Sequence, residues 1–176
     1  VAILRRYKKK GVRLTCETCP PYFTFTEEEI LEQGPSARLE PPLRSPADVE
    51  GILEGLKDGT IDVIASDHTP FSEAETSLPL VRSPAGASAL ETTLAASLTA
   101  LYHTGLMSLS DVLRKLTIEP ARILGLPNAG RLAVGCEADL TILDPNEEWI
   151  VEPSAFLAQG RNTPFAGKRL RGRVKY

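Results

Sequence analysis

Residues 61–65 read Ile-Asp-Val-Ile-Ala, apolar almost throughout and rich in β-branched side chains. That is the pattern of a strand buried on both faces. The segments on either side carry helical patterns, and a buried strand between two helices belongs to a parallel sheet. The chain is therefore predicted to be an α/β protein. Ser66-Asp67-His68-Thr69-Pro70 follows at once and turns the chain away, placing a carboxylate just beyond the strand.

The rest of the pattern extends this unit in both directions. Val1 to Leu4 and the basic residues after them read as the end of a helix, and 13–16 reads as a strand. A loop rich in proline and aromatic residues, 20–26, precedes a short acidic helix over 27–33, with Thr26 as N-cap and Glu29 completing a capping box. Gly34-Pro35 stops that helix, and 37–40 is extended. A helix over 46–57 is opened by Ser45 and closed by Asp58-Gly59. After a polar loop, 66–87, helices are expected over 89–103 and 110–124, the second capped by Ser108 or Ser110 and ended by Gly125. His103 reads as a residue favoured near a helix C-terminus. From Gly130 onward, short strands at 130–135, 139–143 and 149–151 mark a small β module. Both ends read as cuts through elements.

Composition narrows the function classes. A formal net charge of −3 gives no electrostatic reason to expect a nucleic-acid partner. The basic runs 5–10 and 168–175 read as a solvated helix end and an exposed edge strand. No run of 18 apolar residues predicts a membrane span, and no secretory leader pattern is seen. Three cysteines, Cys16, Cys19 and Cys136, form no paired framework, which suits a reducing compartment and points to the cytoplasm. Cys16-Glu-Thr-Cys19 has C-x-x-C spacing but no second pair and no nearby histidine to complete a structural zinc site.

Asp67 is the residue that carries chemistry. In a parallel α/β barrel, catalytic groups stand at the carboxyl ends of the strands. A carboxylate there can ligate a divalent metal, or take a proton from a metal-bound water whose pKa is lowered toward about 7. Aspartate is equally common as a turn former, and taken alone Asp67 fits that role as well.

The order of segments favours the catalytic use. LTCETCPPYFTFTEEEI, ARLEPPLRSPADVEGILEGLKDGTIDVIASDHTP, SPAGASALETTL, GRLAVGCEADLTILDP, NTPF and GRV together resemble the C-terminal half of dihydroorotases in the amidohydrolase superfamily, from about Val12 to the end. The resemblance implies the C-terminal portion of a TIM (β/α)8 barrel over 1–127 and part of a small β-sandwich module over 128–176. It implies hydrolysis or closure of the cyclic amide of dihydroorotate in pyrimidine synthesis, with carbamoyl aspartate as the open form. Zinc, as one or two divalent ions, and a homo-oligomer are implied for the intact protein. Asp67 matches the metal ligand and proton shuttle, and His68 matches a structural neighbour of that ligand. Pro84, Ala85 and Gly86 match a loop whose backbone meets the substrate ring. Arg44 lies beside a substrate-binding position where the family usually carries asparagine, and that position here is Glu40.

Three positions depart from the family. Pro21 stands where the T-x-P-H segment has histidine, Glu40 replaces the asparagine, and Phe71 replaces the last histidine of Asp-His-x-Pro-His. Such changes resemble dihydroorotase-like chains that accompany aspartate carbamoyltransferase as non-catalytic scaffold subunits, which is the second reading. A hydantoinase or allantoinase relative is the third. The family's remaining metal ligands would precede Val1, so this stretch alone is expected to be inactive and to bind no zinc.

Overall fold

The computed structural model describes residues 1–176. Strand β1 (Glu17–Thr18) pairs in parallel with β2 (Val63–Ile64), Glu17 opposite Val63 and Thr18 opposite Ile64. A parallel pair needs a long crossover. Helices α2 (Pro20–Thr24), α3 (Glu29–Gln33) and α4 (Pro46–Lys57) supply it. The strand expected over 13–16 is displaced toward Glu17. The Asp62 carboxylate accepts the Cys16 N–H at 2.8 Å, while the Cys16 carbonyl accepts the N–H of Asp62 at 2.9 Å, so regular pairing begins one residue later.

Helix α4 has the predicted bounds. Ser45 is extended and its hydroxyl accepts the Asp48 N–H, Pro46 occupies the first turn where its missing N–H costs nothing, and Gly59 takes the left-handed conformation just past the end. Within the segment 20–26, where a loop was expected, Pro20–Thr24 forms α2, because Cys19 is extended and two prolines sit at the helix start. The Thr26 capping box does not form. Helix α3 begins only at Glu29, whose carboxylate faces Lys168 Nζ at 2.9 Å. A capping box does occur in the expected polar loop, between Ser72 and Glu75, and opens the short α5 (Glu73–Thr76).

The helix expected over 89–103 is α6 (Thr93–Ser97) continued by a wider π turn over Leu98–Tyr102. Helix 110–124 divides into α7 (Leu109–Leu116), capped by Ser108, and α8 (Ile118–Ile123). Pro120 explains the break, since it has no N–H to donate and its ring crowds the carbonyl of Leu116.

Strands β3 (Leu143–Ile150) and β4 (Arg169–Val174) pair antiparallel with an irregularity between Asp144 and Glu148. The strands expected at 130–135 and 139–143 do not form. Leu132, Leu140 and Ile142 are exposed, and of these only Ile142 finds strand-like partners, its N–H donating to the Tyr176 carbonyl and its C=O accepting from Lys175 just ahead of β3. Gly172 lets β4 lie against the π turn, because a Cβ there would come within 2.5 Å of Leu98 Cδ1.

Two apolar clusters hold the chain together. Phe23, Leu56, Ile61, Ile64, Leu98, Leu101 and Val112 pack around β2. The other joins Phe25, Leu39, Leu43 and Ala95 to Val151, Phe156, Phe165 and Leu170. Full burial of each large side chain stabilises the fold by about 1.5–3 kcal/mol. Two members of the N-terminal basic run are paired and not merely solvated. Within helix α1 (Ala2–Lys9), Arg5 meets Asp58 and Lys8 meets Asp62, each at 2.6 Å. No helix is long and apolar enough to cross a membrane.

Candidate active site at the end of β2

Three residues beyond β2, Asp67 adopts φ +50°, the only non-glycine residue in the left-handed region. Aspartate tolerates that conformation better than most residues, and strain of this kind is concentrated at functional positions. The exposed carboxylate lies 3.9 Å from the buried Cys19 Sγ, with the thiol donating. Burial, then the charges of Asp67 and Glu17, push the Cys19 thiol up. It therefore stays protonated and donates to the carboxylate.

Tyr22, on α2, extends the cluster. Burial first, then Cys19, Asp67 and Glu40, push its phenol up, and its hydroxyl donates to the Pro41 carbonyl at 2.7 Å. Asp67, Glu40 and the Tyr22 ring thus belong to one negatively charged neighbourhood. Arg44 is not drawn into it by any contact. Its guanidinium is exposed and stands 3.7 Å from Asp48 at the start of α4. Pro21 is buried in α2 and offers no side-chain donor or ligand.

His68 faces the other way. Its Nδ1 accepts the N–H groups of Ala89 at 3.0 Å and Leu90 at 3.3 Å. A ring nitrogen that accepts is unprotonated, which puts the proton on Nε2 and removes that atom as a metal ligand. The Pro84-Ala85-Gly86 loop runs beside the turn after Asp67. Thr69 N–H donates to Ala87 at 2.8 Å, and a Cβ on Gly86 would fall 2.7 Å from Thr69 Cβ.

Asn162 lies in the NTPF segment, whose sequence by itself points to no role for it. In the fold its buried amide spans the two loops, with Oδ1 accepting the Phe71 N–H at 2.9 Å and Nδ2 donating to the Gly86 carbonyl at 2.7 Å. The only local signal was an amide side chain in an apolar, proline-containing stretch, which does not reveal partners so distant in sequence.

Zinc takes three or four protein ligands. No group of three or more His, Cys, Asp or Glu side chains in this chain could hold a metal ion. Asp67 and Cys19 make at most a pair, so the donors of this chain by themselves do not fit a zinc centre.

Residues 6–175 match the model of the amidohydrolase family. The chain belongs to that family. Within it, dihydroorotases are similar over nearly the whole chain. That of Syntrophus aciditrophicus (strain SB) is 44% identical over 174 residues, 99% of this chain and 40% of the relative. The dihydroorotase of Aquifex aeolicus (strain VF5) is likewise 44% identical, covering 99% of this chain and 40% of its own length. Solved structures of the same superfamily share the fold. The L-hydantoinase (dihydropyrimidinase) of Arthrobacter aurescens gives a TM-score of 0.90 at 29% identity, over 98% of this chain and 39% of that one. A D-hydantoinase from a Bacillus sp. AR9 gives 0.88 at 26% identity, over 97% and 39%. The chain spans about two-fifths of the length of the curated relatives it matches.

Proposed function

We propose that this chain is the C-terminal portion of a dihydroorotase, a cyclic amidohydrolase acting on dihydroorotate and carbamoyl aspartate in pyrimidine synthesis. The similarity to dihydroorotases along nearly the whole chain carries the reading. In this proposal 1–127 closes a (β/α)8 barrel and 128–176 is part of a small β-sandwich module. Asp67 is a ligand of the catalytic zinc together with donors outside this chain. It also moves the proton: water attacks the amide carbon, Asp67 accepts the water's proton, and that proton passes to the ring nitrogen as the C–N bond breaks. Closure of the ring runs the same transfer backward. Pro84, Ala85 and Gly86 offer backbone groups to the ring, with Arg44 and Glu40 at the rim. A cytoplasmic homo-oligomer completes the proposal.

The buried Pro21 favours a second reading. It puts a side chain without a donor where the family has histidine, and Glu40 adds negative charge where an anionic substrate would enter. A non-catalytic scaffold for aspartate carbamoyltransferase accommodates both features. Steady-state assays of the full-length protein with dihydroorotate and with hydantoin, alongside metal analysis, separate these. Turnover of dihydroorotate with bound zinc is expected. Preference for hydantoin would refute the substrate assignment, and no turnover with either would favour the scaffold.

A further inference from the structure

We infer that Asn162 is a positioning residue that sets the distance between the loop carrying Asp67 and the Pro84-Ala85-Gly86 loop; the inference rests on the dihydroorotase reading. Besides the direct bond from the Thr69 N–H to the Ala87 carbonyl, the two loops are joined by the Asn162 side chain. Asn162 is 5% exposed, its Oδ1 accepts from Phe71 and its Nδ2 donates to Gly86. Only one orientation of the amide satisfies both, because Phe71 offers an N–H and Gly86 offers a C=O. The backbone is held as tightly. Asn162 O accepts the Ser88 N–H at 2.6 Å, and a Cβ on Gly160 would lie 2.5 Å from Pro70 Cβ. The 160–162 segment is therefore seated directly on the turn after Asp67.

This arrangement has a chemical consequence. The proton shuttle and the substrate-facing backbone sit on separate loops joined by few bonds, and the Asn162 amide bridges them. A buried side chain with two charge-neutral bonds fixes both without adding charge near an acidic site. A shift of a few tenths of an ångström in one loop then changes the angle at which the ring meets Asp67.

Asn162→Asp separates the two bonds. It keeps an acceptor for Phe71 and sets a carboxylate oxygen against the Gly86 carbonyl. In the full-length protein N162D is expected to raise KM for dihydroorotate about tenfold with kcat within about threefold, since the Gly86 loop moves and the Asp67 loop does not. Amide hydrogen exchange should quicken at 84–89 and stay unchanged at 68–72. Asn162→Ala should quicken both and change both constants. Ser88→Ala removes the neighbouring buried bond from the Ser88 hydroxyl to the Gly160 carbonyl and serves as the control, with KM expected to stay unchanged. Overturning results are an unchanged KM in N162D, a fall in kcat alone as from lost folded enzyme, an equal KM rise in S88A, or failure of N162D to fold. A wild-type protein without dihydroorotate turnover refutes the functional reading instead. The exchange data then decide the bridge alone: quickening confined to 84–89 sustains it, and unchanged exchange there overturns it.

Discussion

The Nδ1 atom of His68 accepts the backbone N–H of Ala89 at 3.0 Å, tying the turn after β2 to the start of the segment that leads into α6. The histidine nearest the candidate catalytic carboxylate is thus spent on the fold. Asn places its Oδ1 close to where histidine has Nδ1, so His68→Asn should preserve stability to within about 0.5 kcal/mol, whereas His68→Ala should cost about 1–2 kcal/mol. Urea unfolding of the two full-length variants checks this. Equal losses would show that the ring packs and does not accept.

Asp67 combines chemistry with an unfavourable backbone. Asp67→Asn keeps the shape and the tolerance for φ +50° and loses the proton acceptor. Turnover of dihydroorotate should fall by about 100-fold or more with the melting temperature nearly unchanged. Asp67→Ala should lose activity equally and a further 1–2 kcal/mol or so of stability, because alanine is penalised in the left-handed region. Near wild-type turnover in the Asn variant would remove Asp67 from the mechanism.

Asp62 links α1 to β2. Burial raises its pKa, but the Lys8 ammonium and the Cys16 N–H outweigh it, and the net direction is down. A depressed carboxylate stabilises the fold fully above its unfolded value of about 3.9 and loses that contribution as pH falls through the lower folded value. Asp62→Asn should cost about 1.5–3 kcal/mol at neutral pH, the range for hydrogen bonds to a charged group, and the gap from wild type should close in acid. Chemical denaturation from neutral pH to strong acid measures it.

Lys115 works in the opposite direction. It is 8% exposed and its Nζ donates to the Ile61 carbonyl at 2.6 Å, at the entry to β2. Burial lowers its pKa even though Asp62 and Glu119 oppose the shift. The unfolded lysine, near 10.4, holds its proton more firmly, so stability rises with pH as that value is approached from below. Lys115→Met should abolish the rise. Both Lys115→Met and Lys115→Ala leave the Ile61 carbonyl without its donor, a loss of about 1–3 kcal/mol in urea titrations.

Gly86 has φ +150° and no room for a Cβ beside Thr69 and Phe71. Gly86→Ala should destabilise by about 2–3 kcal/mol through strain and overpacking and should raise KM. An alanine variant with wild-type melting and KM would show that the two loops separate freely.

The elements legible in the sequence were those whose signals are local. Ser45-Pro46 and Asp58-Gly59 bound α4 with no help from distant residues, because a cap and a left-handed glycine act within one turn. Short strands are equally expected at 130–135 and 139–143, yet no strand forms before Leu143, because only Ile142 finds a neighbour for its N–H and C=O groups and the local pattern cannot say where one is present. Pro120 could have signalled the break between α7 and α8.

The same distinction holds at the site. By itself the sequence determined that a buried strand lies within 61–65, of which Val63–Ile64 forms, the carboxylate that follows it and the family to which its motifs belong, since these rest on neighbouring residues. Tertiary structure alone decided that Asp67 adopts a left-handed backbone beside the Cys19 thiol and that His68 accepts from Ala89. It alone joined Asn162 to Phe71, 91 residues away. A hydrogen bond across that separation has no periodicity to announce it and exists only once packing has brought the two loops together.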